Sequence, residues 1–342
     1  MFLRHIHTFR AFAIACVVAQ HCMSTITWDE NSLLVYAVGS FVDESSIWFT
    51  FIAGFLFQYL SDRYTPARYY KSKLQNVIIP YLVISIPALI LSMTVIRQDN
   101  VPPEFYDYPV WQQIVLFVLT GKHLEPLWFI PAIALFYLAA PALLWIDRNR
   151  WAYLILIPAT LASILIGRDG LQEFAGGGLL WAPVSKAFYL FAPYVFGMLC
   201  SRYHDRLLKI TTDERNVLFA IAAVAYALNI HYLNGHDAEA YLFTFKMATA
   251  PLLVYLAYRL SDGVADRLSG LATYSFGIYF LHGYVIGAVH VAAEQTPLGV
   301  ALEHGGLFYF LVVTAAVIGG CYWILNSTKQ ALGSSSRLVV GC

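Results

Sequence analysis

The sequence contains few charged residues. Only 12% of its 342 residues are Asp, Glu, Lys or Arg, whereas 59% are hydrophobic. Soluble domains carry about 25% charged residues, so a soluble protein of this length could not cover its surface with so few. The composition therefore excludes an ordinary soluble domain and indicates that lipid is the main solvent of this chain.

The sequence also lacks net charge and any metal-binding cysteine pattern. Its 21 basic residues balance 21 acidic residues, which gives no positive field for nucleic acid, and we predict no nucleic-acid partner. The cysteines are Cys16, Cys22, Cys200, Cys321 and Cys342. They form no C-x-x-C pair and no cluster with histidine, so we predict buried thiols and no metal.

Long apolar runs, by contrast, are abundant. A helix needs about 20 mostly apolar residues to cross the hydrocarbon core of a bilayer. Ten stretches approach this length: 9–27, 45–60, 76–95, 127–146, 151–167, 183–200, 215–233, 240–259, 272–293 and 306–325. We therefore predict an all-α polytopic membrane protein with about ten transmembrane helices. Since no repeat or linker divides the chain, residues 1–342 should form a single domain, with residues 329–342 as a flexible tail.

The distribution of basic residues predicts the orientation. If the spans alternate, sixteen of the 21 Lys and Arg residues lie on the side of the N-terminus and five on the opposite side. Basic residues favour cytoplasmic loops, so both termini should be cytoplasmic. The expected location is the bacterial inner (cytoplasmic) membrane, with the chain crossing it several times and surrounded by membrane lipid.

Two ionisable residues in the first span are candidates for chemistry, because charged groups inside a membrane are costly and are often functional. Arg10 and His21 are eleven residues apart, which is three helical turns plus about 20°, so they should share one face, about 16 Å apart along the axis. A cation near the cytoplasm and a titratable base deeper in could line one tunnel. Alternatively, Arg10 anchors the helix end by snorkelling and His21 is a hydrogen-bonded core residue.

The spacing of Arg10 and His21 resembles the Arg-x10-His signature in the first span of the acyltransferase-3 family of integral membrane enzymes. Other segments resemble this family's motifs in the same order: Trp48–Phe57, Tyr70–Pro80, Leu127–Pro131 followed by Tyr137 and Pro141, and Tyr274–His282. Three positions depart from the family pattern. Ala53 replaces a serine, and Lys73 and Asn76 replace paired arginines, which argues against a paired-arginine phosphate site here, although Arg68, Lys71 and Lys73 still form a basic cluster.

The resemblance implies transmembrane acyl transfer. In this family an acyl-CoA, commonly acetyl-CoA, binds from the cytoplasm, and the acyl group passes to a hydroxyl of an extracytoplasmic sugar. The acceptor could be exopolysaccharide, O-antigen or a lipid-linked glycan. The family's signature residues correspond to His21 and Arg10, which are therefore the expected catalytic residues.

The chemistry of acyl-CoA is consistent with a donor site that contains basic residues. The phosphates of CoA require cations, and Arg10, Arg68, Lys71 and Lys73 could supply them. The bias of basic residues toward the cytoplasm explains Arg68, Lys71 and Lys73 equally well. Imidazole titrates near neutral pH, so His21 could accept the proton of an attacking hydroxyl, or it could become acetylated transiently.

The matched segments also offer candidates for acceptor binding, namely Trp128, Tyr137, Tyr274 and His282. Aromatic rings could stack on sugar faces, although aromatic belts at membrane interfaces give the same enrichment. His282 could be a second polar group in the tunnel or could make a structural hydrogen bond between helices.

Four further ionisable residues are predicted on the outer side. Asp43 and Glu44 could orient His21 or hold sugar hydroxyls, although solvation at the surface is the simpler interpretation. Lys186 and Lys246 could bind an anionic or carbohydrate acceptor, although snorkelling explains both.

The alternative function is a secondary transporter or flippase for a glycolipid or a small anionic solute, since such proteins also bury charges among many spans. Transporters often contain inverted repeats, and this sequence shows none. A homo-oligomer is compatible with either function.

Overall fold

The computed structural model describes residues 3–28, 33–231, 236–303 and 305–341. These residues form helices and connecting turns without any β-strand, which confirms the all-α prediction. The physical reason is that backbone groups in lipid must be satisfied within the segment that carries them, and a helix achieves this.

The α-helices follow each other in this order: α1 Arg4–Cys22, α2 Leu33–Val42, α3 Ser46–Tyr59, α4 Pro66–Lys73, α5 Ile79–Thr94, α6 Val110–Thr120, α7 Phe129–Leu138, α8 Ala140–Arg148, α9 Leu156–Ile166, α10 Gly170–Phe174, α11 Trp181–Arg202, α12 His204–Leu208, α13 Thr212–His231, α14 His236–Arg259, α15 Asp262–Thr273, α16 Ser275–Gln295, α17 Leu298–Glu303, α18 Leu307–Leu332 and α19 Ser336–Val340. A π-helical segment, Leu74–Ile78, joins α4 to α5.

Within the described part of the chain, six helical segments are long and apolar enough to cross a membrane. They are Arg4–Thr25, Pro66–Thr94, Trp181–Arg202, Ala238–Arg259, Ser275–Gln295 and Leu307–Val340. Two bent helix pairs would raise the number to eight if each pair counts as one span. The protein is thus a multi-pass membrane protein, but the prediction of ten spans is not confirmed.

The bends explain much of the difference. The axis turns by 72° between Val110–Thr120 and Glu125–Leu138, and by 111° between Ala140–Arg148 and Arg150–Ile166. Gly121 ends the first of these helices with φ +74°, and a Cβ there would lie 2.6 Å from the carbonyl oxygen of Leu127. Hydropathy alone does not reveal where a helix axis bends, so apolar stretches of span length were counted as straight spans.

Two glycines allow α3 and α11 to cross in close contact. A Cβ on Gly54 would lie 1.9 Å from the carbonyl oxygen of Tyr194, and a Cβ on Gly197 would lie 2.0 Å from that of Phe51. Small residues at a helix crossing bring backbones together, which is the main source of packing energy between helices in lipid. This crossing holds α3 against the centre of the bundle.

Helix α1 lies inside the bundle and packs against α3, α14, α15, α16 and α18. Its interior face includes the buried Ala13, Ile14, Val18 and Cys22. The helix that carries Arg10 and His21 is therefore surrounded by protein on most sides. This position lets its polar side chains face cavities between helices.

Four of the cysteines are buried free thiols, as predicted: Cys16, Cys22, Cys200 and Cys321. The prediction for Cys342 falls outside the described residues.

The C-terminal residues 329–342 were predicted as a flexible tail. Instead, α18 continues to Leu332 and α19 packs against α5, with Val340 only 6% exposed. The described part of this tail is a packed helix, because its apolar side chains find a surface on the bundle that the sequence alone does not reveal.

Candidate active site

His21 lies near the C-terminal end of α1 and borders a cavity of about 410 Å³. Its side chain is 15% exposed, and its Nδ1 atom is 3.9 Å from Oε2 of Glu125. This distance is too long for a direct hydrogen bond but allows an ion pair when the imidazole is protonated. His21 therefore combines access to the cavity with a carboxylate partner.

His282 lies next to His21, with ring centroids 5.1 Å apart, although it does not itself line the cavity. It is fully buried in α16, and its Nδ1 is 3.1 Å from the carbonyl oxygen of Ile278. Since a carbonyl only accepts, Nδ1 must carry the proton and Nε2 presents a lone pair. No described residue hydrogen-bonds this Nε2. The bond to Ile278 lies within α16, so it is not the predicted hydrogen bond between helices, and it uses only one of the two ring nitrogens.

One part of the wall of the His21 cavity carries an aromatic ring and a cation. Trp128 and Lys186 both line the cavity, and the Lys186 Nζ atom is 4.7 Å from the centre of a Trp128 ring. The hydroxyl of Tyr279 donates a hydrogen bond to the carbonyl oxygen of Pro126 and thereby holds the segment that carries Glu125 and Trp128. Lys186 therefore lines this polar cavity next to an aromatic ring.

A second polar cluster lies at the other half of α1, around Arg10. Arg10 is partly buried and lies close enough to Lys73 of α4 for the two charges to repel each other. The Lys73 Nζ atom is 4.5 Å from the ring centre of Tyr137 and 5.3 Å from that of Tyr69. Neither Arg10 nor Lys73 lines the His21 cavity, which reaches Val17, one turn nearer to Arg10.

The other predicted site residues lie elsewhere. Arg68 and Lys71 are exposed on α4 and do not join Arg10. Tyr274 is buried at the start of α16, where its ring packs against Tyr322 and beneath the Nζ atom of Lys329. The structure thus brings His21, His282 and Trp128 together, brings Arg10, Lys73 and Tyr137 together, and separates Tyr274 from both groups.

Sequence reasoning missed an ion pair beside the cavity. Glu44 is buried and pairs with Arg168, whose backbone N–H also donates to Oε1 of Glu239 at 2.5 Å. The charge of Glu44 raises the pKa of Arg168 further above its ordinary value. The expectation that Glu44 is solvated at the surface is wrong, because it pairs with a residue 124 positions away that no local pattern connects to it. The backbone of Glu44 is left-handed, with φ +53°, and no sequence pattern predicted this conformation either.

Lys246 was also interpreted wrongly as a snorkelling side chain. It is fully buried, its Nζ atom donates to the carbonyl oxygen of Phe41, and it lies 3.7 Å from the centre of a Trp48 ring. The cation–π contact and the carbonyl stabilise the charge inside the bundle. Its position on α14 next to aromatic residues gave no signal of these partners, which come from α2 and α3.

A family model described as an acyltransferase domain, that of the acyltransferase-3 family, matches residues 4–326, nearly the whole chain. The chain belongs to the acyltransferase-3 family. No curated protein matches the sequence significantly, and no solved structure does so either.

Membership of the acyltransferase-3 family confirms the resemblance drawn from Arg10, His21 and the later motifs. Together with the apolar helices, it supports a multi-pass membrane acyltransferase and disfavours the transporter alternative.

Proposed function

We propose that this acyltransferase moves an acetyl group from cytoplasmic acetyl-CoA to a hydroxyl of an extracytoplasmic sugar. His21 acts as the general base and Arg10 positions the donor. The observation that carries the proposal is the pair of polar sites along α1: a histidine facing a cavity near one end, and a cluster of cations and tyrosines near the other.

The cluster around Arg10 is suited to the charged part of CoA. Arg10 and Lys73 place two cations together, which is costly in the absence of an anion and favourable beside phosphates. The hydroxyl of Tyr69, whose ring lies 5.3 Å from the Lys73 Nζ atom, is buried without a hydrogen-bond partner in the described structure. These groups can bind phosphate or ribose oxygens. The exposed Arg68 and Lys71 attract the donor from solution rather than hold it.

The cavity around His21 is suited to the transfer itself. The imidazole takes the proton of the sugar hydroxyl, and the resulting oxygen forms a bond to the carbonyl carbon of the thioester. The carbon–sulfur bond breaks, and the CoA thiolate leaves and receives the proton from the imidazolium. Glu125, 3.9 Å from Nδ1, stabilises the imidazolium between these steps.

Residues at the wall of the same cavity are placed to hold the acceptor. Trp128 offers an aromatic face for a sugar ring, and Lys186 beside it can donate to sugar oxygens. The acceptor classes that fit this chemistry are exopolysaccharide, O-antigen and lipid-linked glycans. Since Tyr274 lies away from this wall, we do not include it in the acceptor site.

The decisive experiment is calorimetric titration of acetyl-CoA into detergent-purified protein. Wild type and His21→Asn should bind alike, because the base does not hold the donor, whereas Arg10→Ala should bind at least about tenfold more weakly through the loss of a charge-assisted contact. Acetyl transfer to glycan should be lost in His21→Asn.

Well-folded wild-type protein that does not bind acetyl-CoA would contradict the proposed function and would favour the transporter alternative. A His21→Asn variant that transfers acetyl groups at the wild-type rate would contradict only the assignment of the base.

A further inference from the structure

A second chamber of about 640 Å³ adjoins the His21 cavity. The two share Gln20, Glu44 and Arg168 in their walls, and Gln20 directly precedes His21 in α1. Ligand sites in proteins commonly measure about 300–1,000 Å³, so the chamber is large enough for a sugar. We call it the acidic chamber because of its charges.

Carboxylates dominate this chamber. Asp43, Glu44 and Glu239 line it, and the only basic side chain among its described lining residues is Arg168. Arg168 is already opposed by Glu44 and by Asp169, whose Oδ2 atom is 3.4 Å from its Nε atom. The chamber is therefore negative overall, and a ligand with an acidic group would be repelled from it.

The titration of Asp43 is consistent with this charge balance. Burial, followed by the charge of Glu44, raises the pKa of Asp43 to about 6. At neutral pH the carboxylate is mostly ionised, so it accepts hydrogen bonds and donates none. The charges of Lys246 and Arg168 act in the opposite direction but do not offset burial and the charge of Glu44.

Neutral polar groups with free hydrogen-bonding capacity complete the wall. Ser40 is 2% exposed and lines the chamber, and its hydroxyl has no hydrogen-bond partner in the described structure. The side-chain amide of Asn229 donates to the carbonyl oxygen of Ala238, which leaves its own oxygen available as an acceptor. An unpartnered buried hydroxyl costs free energy, and a hydrogen-bonding ligand would remove this cost.

We propose that the acidic chamber extends the acceptor site of the His21 cavity, and that the sugar unit bound in the chamber is a neutral or amino sugar without carboxylate, sulfate or phosphate. Sugar hydroxyls and ammonium groups donate to the carboxylates, while the hydroxyl to be acetylated reaches His21 past Gln20. This inference rests on the proposed function, because it assigns the acceptor of the same reaction.

The test uses a thiol inside the chamber as a reporter. Gly39 lines the chamber, and a Cβ there would be 3.8 Å from the Met23 methyl group and 3.9 Å from Asp43 Oδ2, so Gly39→Cys fits without strain. The variant is treated with a cationic and an anionic methanethiosulfonate reagent. Gly178→Cys, in an exposed loop, is the matched control. Val35→Cys, in the same chamber wall, replaces Gly39→Cys if that variant does not fold.

We expect the cationic reagent to react with Gly39→Cys at least about tenfold faster than the anionic reagent, relative to the same ratio for Gly178→Cys. Adding Asp43→Asn should lower that ratio. Methyl glucoside and methyl glucosaminide should slow the modification of Gly39→Cys by occupying the chamber, and methyl glucuronide at the same concentration should not.

Equal rates for the two reagents, a faster anionic reagent, no protection by any of the three glycosides, or equal protection by the glucuronide would each overturn the proposal. The rates of thiol modification and their protection by glycosides do not depend on binding of acetyl-CoA. Failure of the proposed function would appear separately, as absent acetyl-CoA binding in calorimetry while the glycosides still protect the thiol.

Discussion

The ring centroids of His282 and His21 are 5.1 Å apart, and the Nε2 atom of His282 has no hydrogen-bond partner in the described structure. Its Nδ1 atom is held by the carbonyl oxygen of Ile278. This contact fixes the tautomer and leaves a lone pair on the nitrogen that is not bound. A buried hydrogen-bond acceptor in this position can orient the imidazole of His21 or a hydroxyl bound beside it.

Replacing His282 should therefore impair transfer more than donor binding. His282→Leu replaces the imidazole with a side chain of similar size that has no hydrogen-bond acceptor. We expect acetyl transfer to fall about tenfold or more. His282→Gln keeps a hydrogen-bond acceptor and should retain more activity than His282→Leu. The measurement is acetyl transfer together with calorimetry of acetyl-CoA. Equal activity of the two variants would indicate that His282 only fills space.

The basic residues of α1 and α4 should differ in how much they contribute to the KM for acetyl-CoA. Arg10→Ala and Lys73→Met remove partly buried charges, so each should raise the KM for acetyl-CoA about tenfold or more. Arg68→Ala removes an exposed charge of the same helix as Lys73 and should change KM less than about threefold. Steady-state kinetics with varied acetyl-CoA provide the comparison. If Arg68→Ala has the larger effect, the donor binds at the surface of α4 instead.

The helix crossing between α3 and α11 should tolerate no methyl group at Gly54. A Cβ there would collide with the carbonyl oxygen of Tyr194 at 1.9 Å, and overpacking of this kind costs roughly 1–3 kcal/mol or more. We expect Gly54→Ala to lower the unfolding temperature in detergent by several degrees.

Gly287→Ala is the matched control for that substitution. Gly287 is also in a helix but has no neighbouring atom within 4 Å of a Cβ, so this variant should unfold at or slightly above the wild-type temperature. If the two variants have the same unfolding temperature, then α3 and α11 do not cross at these glycines.

The pKa of Asp43 predicts a specific dependence of stability on pH. Its value in the folded protein, about 6, lies above the ordinary value of 3.8, so the folded state binds the proton more tightly than the unfolded chain. The contribution of Asp43 to stability is therefore fully present below about pH 3.8 and is lost as the pH rises through about 6. Ionised Asp43 destabilises the protein at neutral pH.

Asp43→Asn should accordingly unfold at a higher temperature than wild type at about pH 7.5, and the difference should shrink toward about pH 4.5. Parallel thermal unfolding of the two proteins at both pH values measures this change. A difference that stays constant with pH would contradict the raised pKa.

The outcome for individual residues shows where sequence reasoning succeeds. The regular spacing of Arg10 and His21 on one helix is a local property, and the structure places both on α1. Of the residues named from motif resemblance as candidates for acceptor binding, His282 and Trp128 lie near His21, whereas Tyr137 lies beside Lys73. Tyr274, named on the same grounds, packs against Tyr322 instead. A motif identifies the helix but does not fix the direction of each side chain.

The sequence by itself determined that this chain is helical, lies in a membrane and carries a histidine and an arginine on one buried helix, because composition and helical periodicity are local. The tertiary structure alone decided where helix axes bend, that Gly54 and Gly197 join α3 to α11, and that Glu44 pairs with Arg168. These features depend on which distant segments of the chain meet. Each contact stabilises the protein only after packing has brought its two partners together and removed them from lipid and water.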